Sequence, residues 1–525
     1  MEVALDKNSR KKAVVRAVTG GAALTGAVGA GFLAGRVRGV KQGLSRPGSP
    51  FEWKAERGRS VLLRGGNLVD VKRGQLQRER GLLFRDGQIT EVVSTRDLDR
   101  VSADSEFDCG GLYVMPGLIN CHVHALMPGA SMIGLDLLLS VKRQALRNLE
   151  ECATHGVTTV RDASSLPGVL SDLARGIERC ELPGPRVVSC GPTLMAKGGY
   201  PDFARELPGP LAGKWGDVTI YVDSDESGRE AVRRAVDQGA RFIKLFFDDR
   251  SLFFGHKPLN VLEDGWVKAI VDEAHRLGRR VGVHQSQLSG FRKALRCGVD
   301  DYEHFPIDEP LSEVDIASFM GGDHHVTPTI SVGMALGMVP PDHPCMGDPL
   351  VARMALMRER VQRELAPAFA EEAVVRSNLK ASRIYGKGDV SHRLGASSMF
   401  DPELYVESLA KRNPNVQMLY EAGAKICCGN DGGTPGSYPG LLSVEMELLE
   451  WFGLSRVDIL RAATINGAGL LDMEGELGSL EKGKLADILV LSANPLEDIR
   501  AVERVEGVFR GGVLVHAGHR LPPPL

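Results

Sequence analysis

The nine cysteines include no CxxC pair, and Cys427 and Cys428 are direct neighbours. That spacing argues against a bridging framework, so the thiols read as reduced, mostly buried small apolar residues, which favours a reducing compartment. Excess charge is missing too. Sixty-four Lys/Arg oppose 67 Asp/Glu, for a net of -3. The whole chain therefore offers no broad basic surface for nucleic acid. Long apolar runs are scarce: mean hydropathy is -0.10, and one charge-free stretch alone approaches spanning length. A multi-span membrane protein is excluded. With 43% hydrophobic residues, a fully disordered chain is excluded as well. The 525 residues suit one large catalytic domain with a smaller partner.

Charge is unevenly spread. Residues 1–59 carry twelve Lys/Arg and four Asp/Glu, a local +8 on a body of -11. This basic head reads as a separate unit. Within it, residues 17–35 are uncharged, and twelve of the nineteen are Gly or Ala. Ala27, Gly31, Gly35 and Gly39 recur every fourth position, a spacing that lets helices approach closely in lipid. Three readings stand: a flexible leader, a membrane-associated segment, or a cleaved export signal. The cytoplasm is the expected location, with this segment as the route to any membrane association.

Residues 60–115 and 471–525 read alike, as short apolar strands broken by Gly-Gly and Asp-Gly turns. A small β-sandwich built from both chain ends is expected. Residues 116–470 alternate instead. "GVTTVRDAS", "PRVVSCG", "ARFIKLFF", "RVGVHQS" and "DYEHF" read as strands, each followed or preceded by a helical stretch such as "DGWVKAIVDEAHRLG". Parallel strands with right-handed crossovers can close into a (β/α)8 barrel, an α/β fold. Residues 336–412, rich in Met, Arg, Glu and Pro, read as a helical insertion near the site mouth.

Chemistry-bearing residues sit at the strand ends of this pattern. His122 and His124 are two apart in "INCHVH", so a strand points both to one face, while Cys121 between them faces away. His284 ends "RVGVH", His304 ends "DYEH", and Asp431 follows "AKICCGN". The C-terminal ends of barrel strands are where such sites assemble. Lys244 lies inside "ARFIKLFF". A buried ammonium is costly, and desolvation moves it toward the neutral amine. That amine can take up carbon dioxide as a carbamate able to bridge two cations; pairing with an acid is the plainer alternative. Together the six residues would accommodate two divalent ions about 3.5–4 Å apart. Nitrogen and oxygen donors without thiolate favour zinc, with manganese or cobalt as alternatives.

The ordered stretches "VMPGLINCHVH", "GVTTVRDAS", "FIKLF", "IVDEAHRLGRRVGVH", "YEHF", "GNDGG" and "LGSLEKGKLADILVL" resemble the metal-dependent amidohydrolase superfamily. The resemblance is to its imidazolonepropionase-related and Xaa-Pro dipeptidase-like branch, over residues 60–305 and 415–520. It implies a barrel with a composite β-sandwich. It implies that His122, His124 and Asp431 hold the more buried metal, that His284 and His304 hold the second, and that carboxylated Lys244 bridges both. Imidazolonepropionases lack that lysine, so Lys244 points to the dinuclear, dipeptidase-like subset. A hydroxide shared by the metals would attack a C–N bond of a small molecule, with Asp431 as the proton carrier.

Two departures concern the substrate. Where dipeptidase-like enzymes show Gly-Gly-His, this chain has "KGGYPD", with Tyr200 in the histidine's place. After Lys244 comes the bulky "FFDDRSLFFGHKPLN" in place of a small Gly-rich loop. Tyr200, Lys197, Phe247 and Asp248 are therefore the candidate substrate contacts. Ester, lactone or phosphoester hydrolysis at the same centre, and a catalytically silent scaffold, are the alternatives. Homo-oligomerisation is left open.

Overall fold

The computed structural model describes residues 53–131, 135–165, 167–200, 218–250, 258–337, 341–385 and 414–521. The uncharged stretch 17–35 and the end of the expected insertion, 386–412, lie outside the described residues. Among the described residues no helix is long and apolar enough to cross a membrane.

The first five strands are β1 (Ser60–Asp70), β2 (Gln75–Arg85), β3 (Gln88–Val93), β4 (Ser105–Asp108) and β5 (Tyr113–Pro116). Then follow β6 (Leu118–Val123), β7 (Val157–Asp162), β8 (Arg186–Ser189), β9 (Thr193–Met195) and β10 (Thr219–Tyr221). Next come β11 (Ile243–Phe246), β12 (Val281–His284), β13 (Asp301–Glu303), β14 (His325–Thr327) and β15 (Lys425–Ile426). The last three are β16 (Ile488–Leu491), β17 (Val505–Arg510) and β18 (Val513–Ala517).

Both chain ends build one eight-stranded sheet, in the order β18-β17-β16-β5-β1-β2-β3 with β4 also on β1. The Gly-Gly in "SVLLRGGNLVD" does not end a strand, as the sequence pattern suggests. It is an irregularity inside β1, where Gly65 takes φ +75° and the pairing register slips. Val61 to Arg64 pair with β4, whereas Asn67 and Leu68 pair with β5. The sheet thus divides at the glycines. Its apolar cluster draws Val61, Phe84, Phe107 and Val114 from one end and Ile488, Phe509 and Leu514 from the other. Phe509 packs edge-on to Phe84 and Phe107 at 5.6 and 5.3 Å.

The middle of the chain is the barrel. Strands β6-β7-β8 and β11-β12-β13-β14-β15 form two parallel arcs. Backbone hydrogen bonds join the arcs at both seams: Arg241 N to Ser189 O and Cys121 N to Cys428 O, each 2.9 Å. Eight strands therefore close on themselves. The surrounding helices bury a single face. In Asp225–Asp237 the buried positions are Gly228, Ala231, Val232 and Ala235, the one-face spacing of an α-helix, and Ser224 caps its start. Leu288–Cys297 stops at Gly298, which supplies φ +76°. The seventh barrel strand, β14, is short: it ends at Thr327 before Pro328, and Ile330 already begins a helix. The described part of the insertion, 341–385, is helical.

Barrel and sheet are tied by Asp487. It pairs with Arg186 at 2.6 Å and accepts from Gly511 N at 2.7 Å, while its carbonyl takes Gly117 N at 2.9 Å.

Candidate metal centre

Five barrel strands and the turns at their C-terminal ends bring His122, His124, Lys244, His284, His304 and Asp431 to one place. His122 is 5.4 Å from His124 and 5.1 Å from His304, ring to ring, and His304 is 4.5 Å from His284. Asp431 Oδ1 lies 3.4 Å from His122 Nε2 and 3.1 Å from His124 Nε2. His122, His304 and Asp431 each present one ligand atom within 4.8 Å of the others. Lys244 lies on β11 and touches the Glu303 carboxylate at the end of β13; both side chains are fully buried.

The backbone is shaped for this. His304, Thr329 and Asp431 take φ values of +67°, +52° and +51°, a region that costs non-glycine residues about 1–3 kcal/mol each. Glu445, buried, accepts Ile330 N at 2.9 Å and Ser331 N at 2.7 Å and so pins the turn that carries Thr329. Burial pushes Glu445 up to about 7.

Neighbours settle which imidazole nitrogens carry protons. His124 Nδ1 lies 3.0 Å from Ser164 O, which can only accept. Thr329 Oγ1 spends its own proton on Pro328 O, 2.7 Å away, and so accepts from His304 Nδ1 at 2.5 Å. His284 Nε2 donates to Asp248 Oδ2 at 3.0 Å. The opposite nitrogens are left as bare lone pairs. Burial, with Lys244 and neighbouring rings, holds His122 and His304 well below the usual imidazole range. Neutral rings are the form that ligates metal. His124 differs: burial opposes its charge, yet Asp431 raises it above the usual range. An imidazole lone pair facing a carboxylate needs a proton or a cation between them. The buried Asp431 Oδ1 has no hydrogen-bond partner. These donors fit divalent ions.

Burial, reinforced by Arg161, pushes Lys244 down to about 7. Arg161 is buried behind it, 2.6 Å from Glu303 Oε1 and 3.1 Å from Asp301 Oδ2, with its guanidinium 3.6 Å above the Phe242 ring. Glu303, Asp301 and Thr329 did not stand out in the sequence. Two acids two apart in the strand "DYEH" are a signal for a buried Asp301 and Glu303, though not for what they touch, and no such signal marks Thr329.

The substrate candidates fall differently. Tyr200 stacks on His284, ring centroids 4.5 Å apart and planes 18° apart. Lys197 is exposed, and its carbonyl accepts Asn260 Nδ2 at 2.7 Å. Phe247 is buried in the barrel core. Asp248 is buried too, engaged by Ser286 N at 2.8 Å, Ser286 Oγ at 2.6 Å and His284. Cys121 packs with Ile119 and Cys427, away from the histidines.

The amidohydrolase family model matches residues 113–515. The chain belongs to the amidohydrolase family. It is accordingly a hydrolase of carbon–nitrogen bonds acting on small molecules, with the (β/α)8 barrel and added sheet domain of that family. Ochratoxinase of Aspergillus niger is 26% identical over 473 residues, covering 84% of each chain. Imidazolonepropionase of Rubrobacter xylanophilus is 37% identical over 112 residues, 21% of this chain and 26% of that one. Among solved structures, a Xaa-Pro dipeptidase with bound methionine superposes with a TM-score of 0.64 at 22% identity, covering 87% of this chain and 99% of that one. At that identity the likeness carries the fold.

Proposed function

We propose that this amidohydrolase cleaves an amide, peptide or cyclic amide bond at a centre of two divalent ions, zinc by its donor set. His122, His124 and Asp431 would hold one ion and His284 and His304 the other, with Lys244 as a carbamate between them. The observation that carries this reading is the convergence of His122, His124 and His304 on Asp431, with the outward nitrogens of His124 and His304 tied to acceptors. When bound, the ions supply an acidified water and a polarised carbonyl. Asp431 takes the proton of the attacking water and hands it to the leaving nitrogen as the C–O bond forms and the C–N bond breaks. Burial lowers the Lys244 pKa toward the neutral amine that carboxylation requires. Tyr200 and Lys197 are proposed to border the substrate. Asp248 is proposed to act through His284, since its oxygens are engaged. All nine cysteines are free thiols, which supports a cytoplasmic setting.

One observation favours a second reading. Lys244 already has an acid, Glu303. A lysine kept in that ion pair would leave a single ion on His122, His304 and Asp431. Metal analysis of Lys244→Ala decides. The bridging role requires loss of at least one ion and nearly all turnover; two ions with full turnover in that variant refute it. A panel of dipeptides, N-acyl amino acids, lactones and aryl phosphotriesters then tests the bond class.

A further inference from the structure

His122 is the ring whose outer partner is not yet named. The group facing its Nδ1 is Glu303 Oε2, 3.4 Å away. We infer that Glu303 is the positioning carboxylate of the centre, holding His122 with Nδ1 protonated and Nε2 bare while the same oxygen steadies Lys244. This rests on reading His122 and Lys244 as ligands.

The charge arrangement around Arg161 points the same way. Arg161 is buried and contacts two carboxylates, Asp301 at 3.1 Å and Glu303 at 2.6 Å. One anion suffices to neutralise it. Glu303 is the one whose second oxygen faces the centre, between Lys244 Nζ and His122 Nδ1. A buried carboxylate makes sense there only if both oxygens are used. Strand β12 leaves room for the group. A Cβ on Gly282 would lie 2.6 Å from Arg161 Nη2, 3.1 Å from Glu303 Oε1 and 3.3 Å from Asp301 Oδ2. Lys244, Gly282 and Asp301 share one register row across β11, β12 and β13. On the far side of the ring, His122 Nε2 faces Asp431 Oδ1 at 3.4 Å. With Nδ1 protonated these two atoms both offer lone pairs, the arrangement that receives a cation.

Glu303→Gln keeps the volume and removes the charge. In full-length protein, zinc affinity by chelator competition should weaken roughly 10–100-fold, as for other outer partners of metal-bound histidines. The visible spectrum of the cobalt-loaded variant should change, and Glu303→Asp should restore part of the affinity. Wild-type affinity together with an unchanged cobalt spectrum in E303Q overturns the inference. His122→Ala separates the two readings: if it also keeps wild-type zinc content, the ligand assignment has failed. If E303Q does not fold, long-range proton–nitrogen spectra of 15N-histidine-labelled, zinc-loaded wild-type protein decide. They should show His122 protonated at Nδ1; a bare Nδ1 overturns the inference.

Discussion

Replacing Thr329 with valine removes one hydroxyl from behind the centre and little else. Valine has nearly the same shape, and Thr329 already holds a β-branched side chain at φ +52°, so the backbone cost is unchanged. What is lost is the acceptor of a buried N–H, His304 Nδ1 at 2.5 Å, together with the onward bond to Pro328 O at 2.7 Å. A buried donor left unpaired costs about 1–3 kcal/mol. At about 1.4 kcal/mol per tenfold, that is roughly a 5- to 140-fold drop in the population of His304 held with Nε2 bare. The opposite tautomer, with the proton on Nε2, cannot ligate. Zinc affinity should fall by a factor in that range, measured by chelator competition on wild type, T329V and T329S. T329S keeps the hydroxyl and should match wild type. If T329V binds zinc as tightly as wild type, the outer hydrogen bond is not what orients His304.

Three further outcomes follow from the same geometry. Asp248→Asn leaves one acceptor oxygen where Ser286 and His284 now share two, so binding of the ion at His284 should weaken roughly 10–100-fold. Full metal occupancy at limiting zinc would speak against that. His325, buried on β14, is pushed down to about 3, by burial first and then by Arg280 and Lys425. The unfolded chain takes up its proton near 6.5 and the folded one only near 3. Its contribution to stability is therefore complete above pH 6.5 and lost as pH falls toward 3, about 2 kcal/mol between pH 7 and 5. H325L should show a smaller shift of its urea midpoint over that interval, and an equal shift would count against this sign. Asp487→Ala strips the carboxylate from a largely buried Arg186, which should cost about 3–5 kcal/mol and lower Tm while sparing kcat/KM of the folded enzyme. An unchanged Tm would mean that barrel and sheet do not depend on this contact.

The barrel and the candidate ligand positions were legible because each signal is a polar residue where apolar periodicity predicts none. Lys244 interrupts "RFIKLFF", and His284 and Asp431 follow apolar runs at strand ends. Period-two alternation then sorts His122 from Cys121, and the structure buries that cysteine against Ile119 and Cys427. Elsewhere the pattern misleads for local reasons. Glycine pairs look like turns when read alone. Whether Gly65-Gly66 turns the chain or only slips the register depends on β4 and β5, strands some forty residues on.

Glu303 was hidden by the same alternation that revealed His122. If His304 were an ordinary strand residue aimed at the centre, Glu303 beside it would face outward, and nothing in "DYEH" would connect it to Lys244 or His122. The left-handed φ of +67° at His304 breaks that rule. The strand proper ends at Glu303. Asp301 and Glu303, two apart, both turn inward to Arg161, and His304 reaches the centre from the turn instead. A backbone angle that costs energy thus lets two consecutive residues serve one site, His304 from the turn and Glu303 from the strand. Thr329 at φ +52° is placed the same way, just past the end of β14, and Asp431 at φ +51° lies in the loop after β15. Such angles are imposed by distant contacts, here Glu445 gripping the Ile330 and Ser331 amides from 115 and 114 residues away. No local pattern of residues encodes them, which is why the converging histidines, Lys244 and Asp431 could be read from the sequence and the groups that touch them could not.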